Sequence, residues 1–293
     1  MSTHTLHSNA FALVFSMLVV ASANSALAQV ADDASLRAWA DTTFYTGKPG
    51  GGKVTEIAPV LQADFKLLGL VRIGLDLPFA AAFTTLSSSI SPAPSASRFT
   101  LGSPTLHGML EVEAGPLLAR AGLGVAVSVR STDITSPDDV AGFTAMEFGL
   151  ATRGAWNPWW YTDTHAIFAP GEVSYRGENY AFGVEGALMA LIPRSDSNAD
   201  TQTALQLGPY LAAVTGKTSA IGIRWRNVIT FARGPLLDGD HAQSSLEAYA
   251  ETRVMKLLLL GGGFLVNLDR PFGVFGSGGA DVWALRVKAG LAL

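Results

Sequence analysis

The chain has 293 residues, 48% of them hydrophobic and 15% charged, with a formal net charge of −4 and a mean hydropathy of +0.29. The absence of cysteine excludes a disulfide framework, a thiolate metal site and a cysteine nucleophile. With near-neutral charge, no basic run and no interleaving of aromatic and basic residues, nucleic acid is excluded as an expected partner. Beyond residue 30 no stretch approaches the roughly 20 apolar residues of a membrane helix. Residues 255–264 come nearest, and Lys256 and three glycines interrupt them. Hydrophobicity this high must therefore be spread thinly, and period-two alternation does that.

Residues 1–28 read as a secretory signal peptide. Residues 11–21, FALVFSMLVVA, form an apolar core too short for a membrane helix, and Ala26-Leu27-Ala28 is a small-residue cleavage pattern ahead of Gln29. His4 and His7 stand where Lys or Arg is usual, and a retained N-terminal anchor is the other reading. The expected division is a signal peptide over 1–28 and one domain over 29–293.

The mature part alternates from its start. In 36–45, Leu36, Ala38, Ala40 and Phe44 oppose Arg37, Trp39, Asp41, Thr43 and Tyr45. A polar Gly-rich loop, GKPGGGK, precedes 56–66, where Ile57, Leu61, Ala63 and Phe65 oppose Glu56, Gln62, Asp64 and Lys66. A tight connection at Leu67-Leu68 leads into 69–79, with Val71, Ile73, Leu75, Leu77 and Phe79 against Arg72, Gly74 and Asp76. The Ser- and Pro-rich residues 84–103 read as a long exposed loop. Leu106, Leu110 and Val112 then oppose His107, Glu111 and Glu113. After Gly115-Pro116, residues 117–130 give the cleanest alternation, Ala119, Ala121, Leu123, Val125, Val127 and Val129 against Arg120, Gly122, Gly124, Ser128 and Arg130.

Residues 131–162 differ. Ser136 suits an N-cap, Pro137 the first helical position, and Asp138 and Asp139 the first turn, where carboxylates face the positive end of the helix dipole. Val140, Phe143, Met146 and Leu150 follow at spacings of three and four. Met146, Phe148 and Leu150 also alternate as in a strand, and Gly142 and Gly149 weaken a helix, so the local residues leave both readings open. Pro158 would end a helix at Asn157.

Alternation resumes in six further segments, 164–176, 180–188, 205–211, 221–231, 246–254 and 258–268, and closes in 283–293. There Trp283, Leu285, Val287, Ala289, Leu291 and Leu293 oppose Arg286, Lys288 and Gly290. Segments of about ten alternating residues suit tilted strands that cross a bilayer. Aromatic residues near strand ends, among them Phe44, Phe65, Tyr180, Phe231 and Trp283, fit interfacial girdles. Five tight connections, near Leu67, Gly115, Gly177, Gly216 and Lys256, alternate with six long ones. A sheet in lipid must close, and closure with both ends on one side needs an even strand number. The segments total about twelve without 131–162. That stretch is therefore expected to be a helix-bearing outer loop, and a strand over 143–153 would break the alternation of loops.

This pattern over 36–293 resembles that of bacterial outer-membrane β-barrels as a class. The resemblance implies an all-β, closed antiparallel up-and-down transmembrane barrel in the bacterial outer membrane, with membrane lipid and the barrel-assembly machinery as partners. Members usually end on an aromatic residue, where this chain has Leu293.

The polar faces would look into the interior. Arg72, Glu111, Glu113, Arg120, Glu185, Arg224, Arg226, Glu247, Glu251, Arg286 and Lys288 are the expected channel-lining residues, with acids and bases nearly balanced. Two readings compete, an ion-paired filling and a water-filled path whose opposed charges orient small polar solutes. The expected function is the second, a porin-like channel. A plugged or structural barrel is the alternative, and a barrel-embedded hydrolase a lesser one. Trp156, Trp159 and Trp160 are candidates for a constriction, although the membrane interface is the plainer place for them. A hydrolase would need a Ser–His pair or paired carboxylates, and beyond residue 28 the histidines are His107, His165 and His241. The sequence DGDH at 238–241 is too short for a metal site, and no metal, cofactor or catalytic residue is expected.

Overall fold

The computed structural model describes residues 34–293 except 48–52, 68, 86–94, 130–135, 137–138, 143–157, 162, 195–200, 216–217, 232–241, 256 and 269–281. The expected signal peptide lies outside the described residues. The strands are β1 (Leu36–Gly47), β2 (Lys53–Leu67), β3 (Val71–Thr85), β4 (Ser95–Leu101), β5 (Thr105–Ala114), β6 (Leu117–Ala126) and β7 (Thr164–Arg176). They continue as β8 (Tyr180–Pro193), β9 (Gln202–Thr215), β10 (Ser219–Thr230), β11 (Ala242–Val254), β12 (Leu258–Asn267) and β13 (Trp283–Ala292).

Every pairing is antiparallel. β1 bonds to both β2 and β13, which closes the sheet into a barrel. The outer half of β3 pairs with β4 and its other half with β5, so β4 and β5 are two pieces of one crossing and the barrel has twelve. The expected closed up-and-down architecture is present. One expectation is corrected: residues 84–103 are not all loop, because β3 runs on to Thr85 and Phe79–Thr85 find partners in β4. The piece 95–101 follows two prolines and is only seven residues long, which hid its alternation.

Between the two pieces the inward parity changes, from Ala96, Arg98 and Thr100 to Thr105, Met109 and Glu111. The interruption at 102–104 absorbs the odd residue, as a bulge does. At the opposite end the strands turn tightly, with Gly69 and Gly115 at positive φ of 72° and 62°. The first and last strands also meet there, where Leu36 and Leu293 exchange backbone hydrogen bonds of 3.0 and 2.8 Å.

The expected inside-out distribution holds. The outward row includes Leu123 at 68% exposure, Phe99 at 66% and Ile221 at 65%, while inward Glu185 and Arg224 are 0% and 1% exposed. In water so continuous an apolar exterior would drive association. In lipid it is the required surface, since closure leaves no backbone edge unsatisfied. Tyr175, Tyr180 and Phe182 stack at 5.3–6.3 Å between centroids near the tight-turn end, a piece of aromatic girdle.

In the loop between β6 and β7 the predicted cap is present. The Asp139 amide donates to Ser136 Oγ at 3.2 Å, the Ser136 hydroxyl donates to the Asp139 carboxylate at 2.8 Å, and 139–142 form a helical turn. Arg98 of β4 pairs with Asp139 and ties this turn to the barrel wall. The remainder of the expected helix, 143–157, lies outside the described residues. The chain reappears as a one-turn 3₁₀ helix, Pro158–Trp160.

Candidate functional site: a charged belt beneath an aromatic ceiling

Because side chains alternate along a strand, each crossing sends one residue in two into the interior. Near the tight-turn end these inward residues are charged. On one wall Arg37 clasps Asp64 through Nε and Nη2 at 2.7–3.0 Å, and Arg72 pairs with the same carboxylate. Glu111 receives Lys66 Nζ at 2.5 Å, Arg120 Nε at 2.8 Å and Arg72 Nε at 3.7 Å. Arg120 reaches on to Glu172 at 3.1 Å, which also accepts the Tyr210 hydroxyl at 2.7 Å and faces Arg176 at 3.6 Å.

The facing wall has its own network. Glu247 lies 2.7 Å from Arg286 Nη1, 2.9 Å from Arg226 Nη2 and 3.3 Å from Arg224 Nη1. Arg224 Nε is 3.0 Å from Glu185, and the guanidinium lies 5.0 Å from the Tyr249 ring centroid. Arg286 Nη2 donates to Asp41 at 2.5 Å, and Lys288 to Glu251 at 2.9 Å. Burying single charges is costly, and shared carboxylates with several donors each are how such groups are kept inside.

Of the expected channel-lining residues, Arg72, Glu111, Arg120, Glu185, Arg224, Arg226, Glu247, Glu251, Arg286 and Lys288 are buried on the inner face, and all of them join these networks. Glu113 shares their parity but stands exposed at the end of β5, next to a tight turn. Tyr210, Tyr249 and Trp39 belong to the belt as well, Trp39 donating from Nε1 to Gln62 at 2.9 Å. A search of the sequence for charges alone passes over them, although they share the strand parity.

The long-loop half of the interior is apolar, which the sequence reading missed. Tyr45, Val54, Ala58, Val60, Ala80 and Ala82 form one buried cluster with Leu265, Val282 and Ala284. Phe168, Met189, Leu191 and Val228 anchor a second, and Tyr161 packs against both. Trp159 and Trp160 sit in the first cluster at 2% and 0% exposure. This overturns the interfacial placement for these two residues. Trp156 lies outside the described residues.

The reason for the inward turn is visible at the strand break. Ser103 N–H donates to Trp159 O at 2.6 Å and Ser103 Oγ to Tyr161 O at 3.3 Å. Only glycine fits at 102, because a Cβ there would lie 2.6 Å from Trp159 O and 2.8 Å from Pro78 Cγ. Trp159 Nε1 donates to Asp76 Oδ2 at 3.1 Å, and Gln62 Nε2 donates to the other Asp76 oxygen at 3.0 Å.

The histidines form no triad-like geometry among the described residues. His165 Nδ1 accepts the Ser128 amide at 3.2 Å, and His107 Nδ1 lies 3.9 Å from Asp76. His241 and the DGDH stretch lie outside the described residues.

A closed twelve-crossing barrel, apolar outside and ion-paired within, is a β-barrel of the bacterial outer-membrane class. The solved structures that resemble it are of that class. An outer membrane channel from Pseudomonas putida F1 is 10% identical, with 89% of this chain and 96% of that one covered and a TM-score of 0.60. The NanC porin is 5% identical, with coverage of 87% and 100% and a TM-score of 0.51. The transport unit of the autotransporter AIDA-I from Escherichia coli is 10% identical, with coverage of 88% and 90% and a TM-score of 0.50. At these identities the likeness is one of fold. No protein-family description and no curated relative matches the sequence.

Proposed function

We propose that this protein is an outer-membrane channel for small polar solutes and has no catalytic role. The observation that carries the reading is the interior belt. A barrel that only needed to persist in lipid would be served by an apolar filling, and buried ion pairs are often no more stabilising than one. Opposed rows of arginine and carboxylate instead offer a polar solute replacement partners for its lost water. Trp159 and Trp160 would form the narrow point above the belt, held by Asp76. Export by the signal peptide and insertion by the barrel-assembly machinery belong to the same proposal.

A specific observation favours the plugged alternative: Glu185, Arg224, Glu247 and Asp41 are each at most 1% exposed, so this level is sealed to water. Planar-bilayer recording separates the two readings. A channel gives discrete current steps, and a permanently sealed barrel gives none. Hydrolysis of lipid or peptide by the purified barrel, abolished by His165→Ala, would overturn the non-enzymatic part.

A further inference from the structure

We infer that the channel proposed above prefers anions, and that the preference is set on one wall at the tight-turn mouth by Arg37, Lys66, Arg72, Arg120 and Arg176. The inference rests on the channel reading. It starts from the unequal sharing within the two networks. On the β8–β13 side the groups balance: Arg224, Arg226 and Arg286 are matched by Glu185, Glu247 and Asp41, and Lys288 by Glu251. On the opposite side the five cations just named share three carboxylates, Asp64, Glu111 and Glu172. The nearest further acid, Asp76, is engaged by Gln62, Trp159 and His107 in the layer above.

Two features make the surplus usable. The Nη1 group of Arg37, a residue only 3% exposed, has no hydrogen-bond partner among the described residues. A buried donor of that kind is costly until an acceptor reaches it. The side chains of Lys66 and Arg176 are 17% and 19% exposed, so the wall is wetted from the mouth. Low-dielectric walls focus the field of such a cluster onto the lumen, even though the whole chain carries a formal charge of −4. The solute class that fits is a small oxyanion, a carboxylate or a phosphate, whose two or three acceptor oxygens match a guanidinium fork.

The test is the reversal potential of the full-length barrel in a planar bilayer under a potassium chloride gradient, repeated with inorganic phosphate added on the tight-turn side. The expected result is a reversal potential of anion-selective sign and a chloride current reduced by phosphate. R176Q and, separately, K66Q should each move the potential toward zero and weaken the phosphate effect. Two variants are used because either one alone could fail to fold. Current steps with no selectivity, or with cation selectivity, would overturn the inference and leave the channel reading standing. No current steps at all would remove the channel reading, and this one with it.

Discussion

Trp159 Nε1 donates a 3.1 Å hydrogen bond to Asp76, joining the loop after β6 to the inner face of β3 across 83 positions of sequence. The bond is buried at both ends, and the same loop is held by the strand break at Ser103. The arrangement makes the loop part of the barrel's filling, seated directly above the charged belt.

Replacing Trp159 by Phe keeps an aromatic ring and removes the donor. The expected cost is about 1–3 kcal/mol, the range for leaving a buried acceptor short of a partner. In single-channel recording W159F should spend more time open than the parent, because the ceiling is less firmly seated. An unchanged open fraction would mean that Trp159 does not limit the path.

Glu247 is approached by Arg224, Arg226 and Arg286. Glu247→Gln should destabilise the folded barrel by about 3–5 kcal/mol, since it leaves buried cations without their shared counter-charge. Glu113→Gln, on an exposed carboxylate, should change stability by under about 1 kcal/mol. Urea unfolding in lipid vesicles, followed by tryptophan fluorescence, compares the two.

How much of this was legible depended on whether one strand contained its own evidence. Arg120 alternates with Ala119 and Ala121 within β6, so its inward direction was readable without knowing any neighbour. Ser136 and Asp139 are likewise local, and the cap is where the spacing put it. The apolar ceiling was missed because the polar rows were followed only as far as the charges went. Ala80 and Ala82 continue the parity of Arg72 and Asp76, and Met189 and Leu191 that of Glu185, but small or apolar residues give no polar contrast to mark the face. The inward placement of Trp159 and Trp160 was not readable at all, because it depends on Asp76 and on a break at 102–104 that the composition of 84–103 disguises as loop. The imbalance between the two walls was hidden for a related reason: an inventory of charges adds both walls together, and only the pairing separates them.

Gly124 lies on the inner face of β6, and a Cβ there would overlap the ring of Phe168, its partner across the β6–β7 ladder. Gly124→Ala should cost about 1–3 kcal/mol from overpacking. Phe168→Leu in the same chain should recover most of the loss. The pair is checked by thermal unfolding in detergent, with the double variant expected above the single one.

Leu123 faces outward from the middle of β6 at 68% exposure. Leu123→Arg should destabilise the barrel in vesicles by about 2–4 kcal/mol, the cost of a cation on the lipid face at mid-depth. Its neighbour on the inner face, Gly124, sees no lipid, and its sensitivity arises from steric contact alone.

Because the chain has no cysteine, single cysteines bearing a nitroxide can be placed along β6 from Leu117 to Ala126 without removing a native thiol. Accessibility to oxygen dissolved in the bilayer, measured for each position in vesicles, should rise and fall with a period of two and peak at positions 119, 121, 123 and 125. Peaks at 118, 120, 122 and 124 instead, or no alternation, would contradict a barrel that turns its aliphatic rows to lipid and its arginines inward.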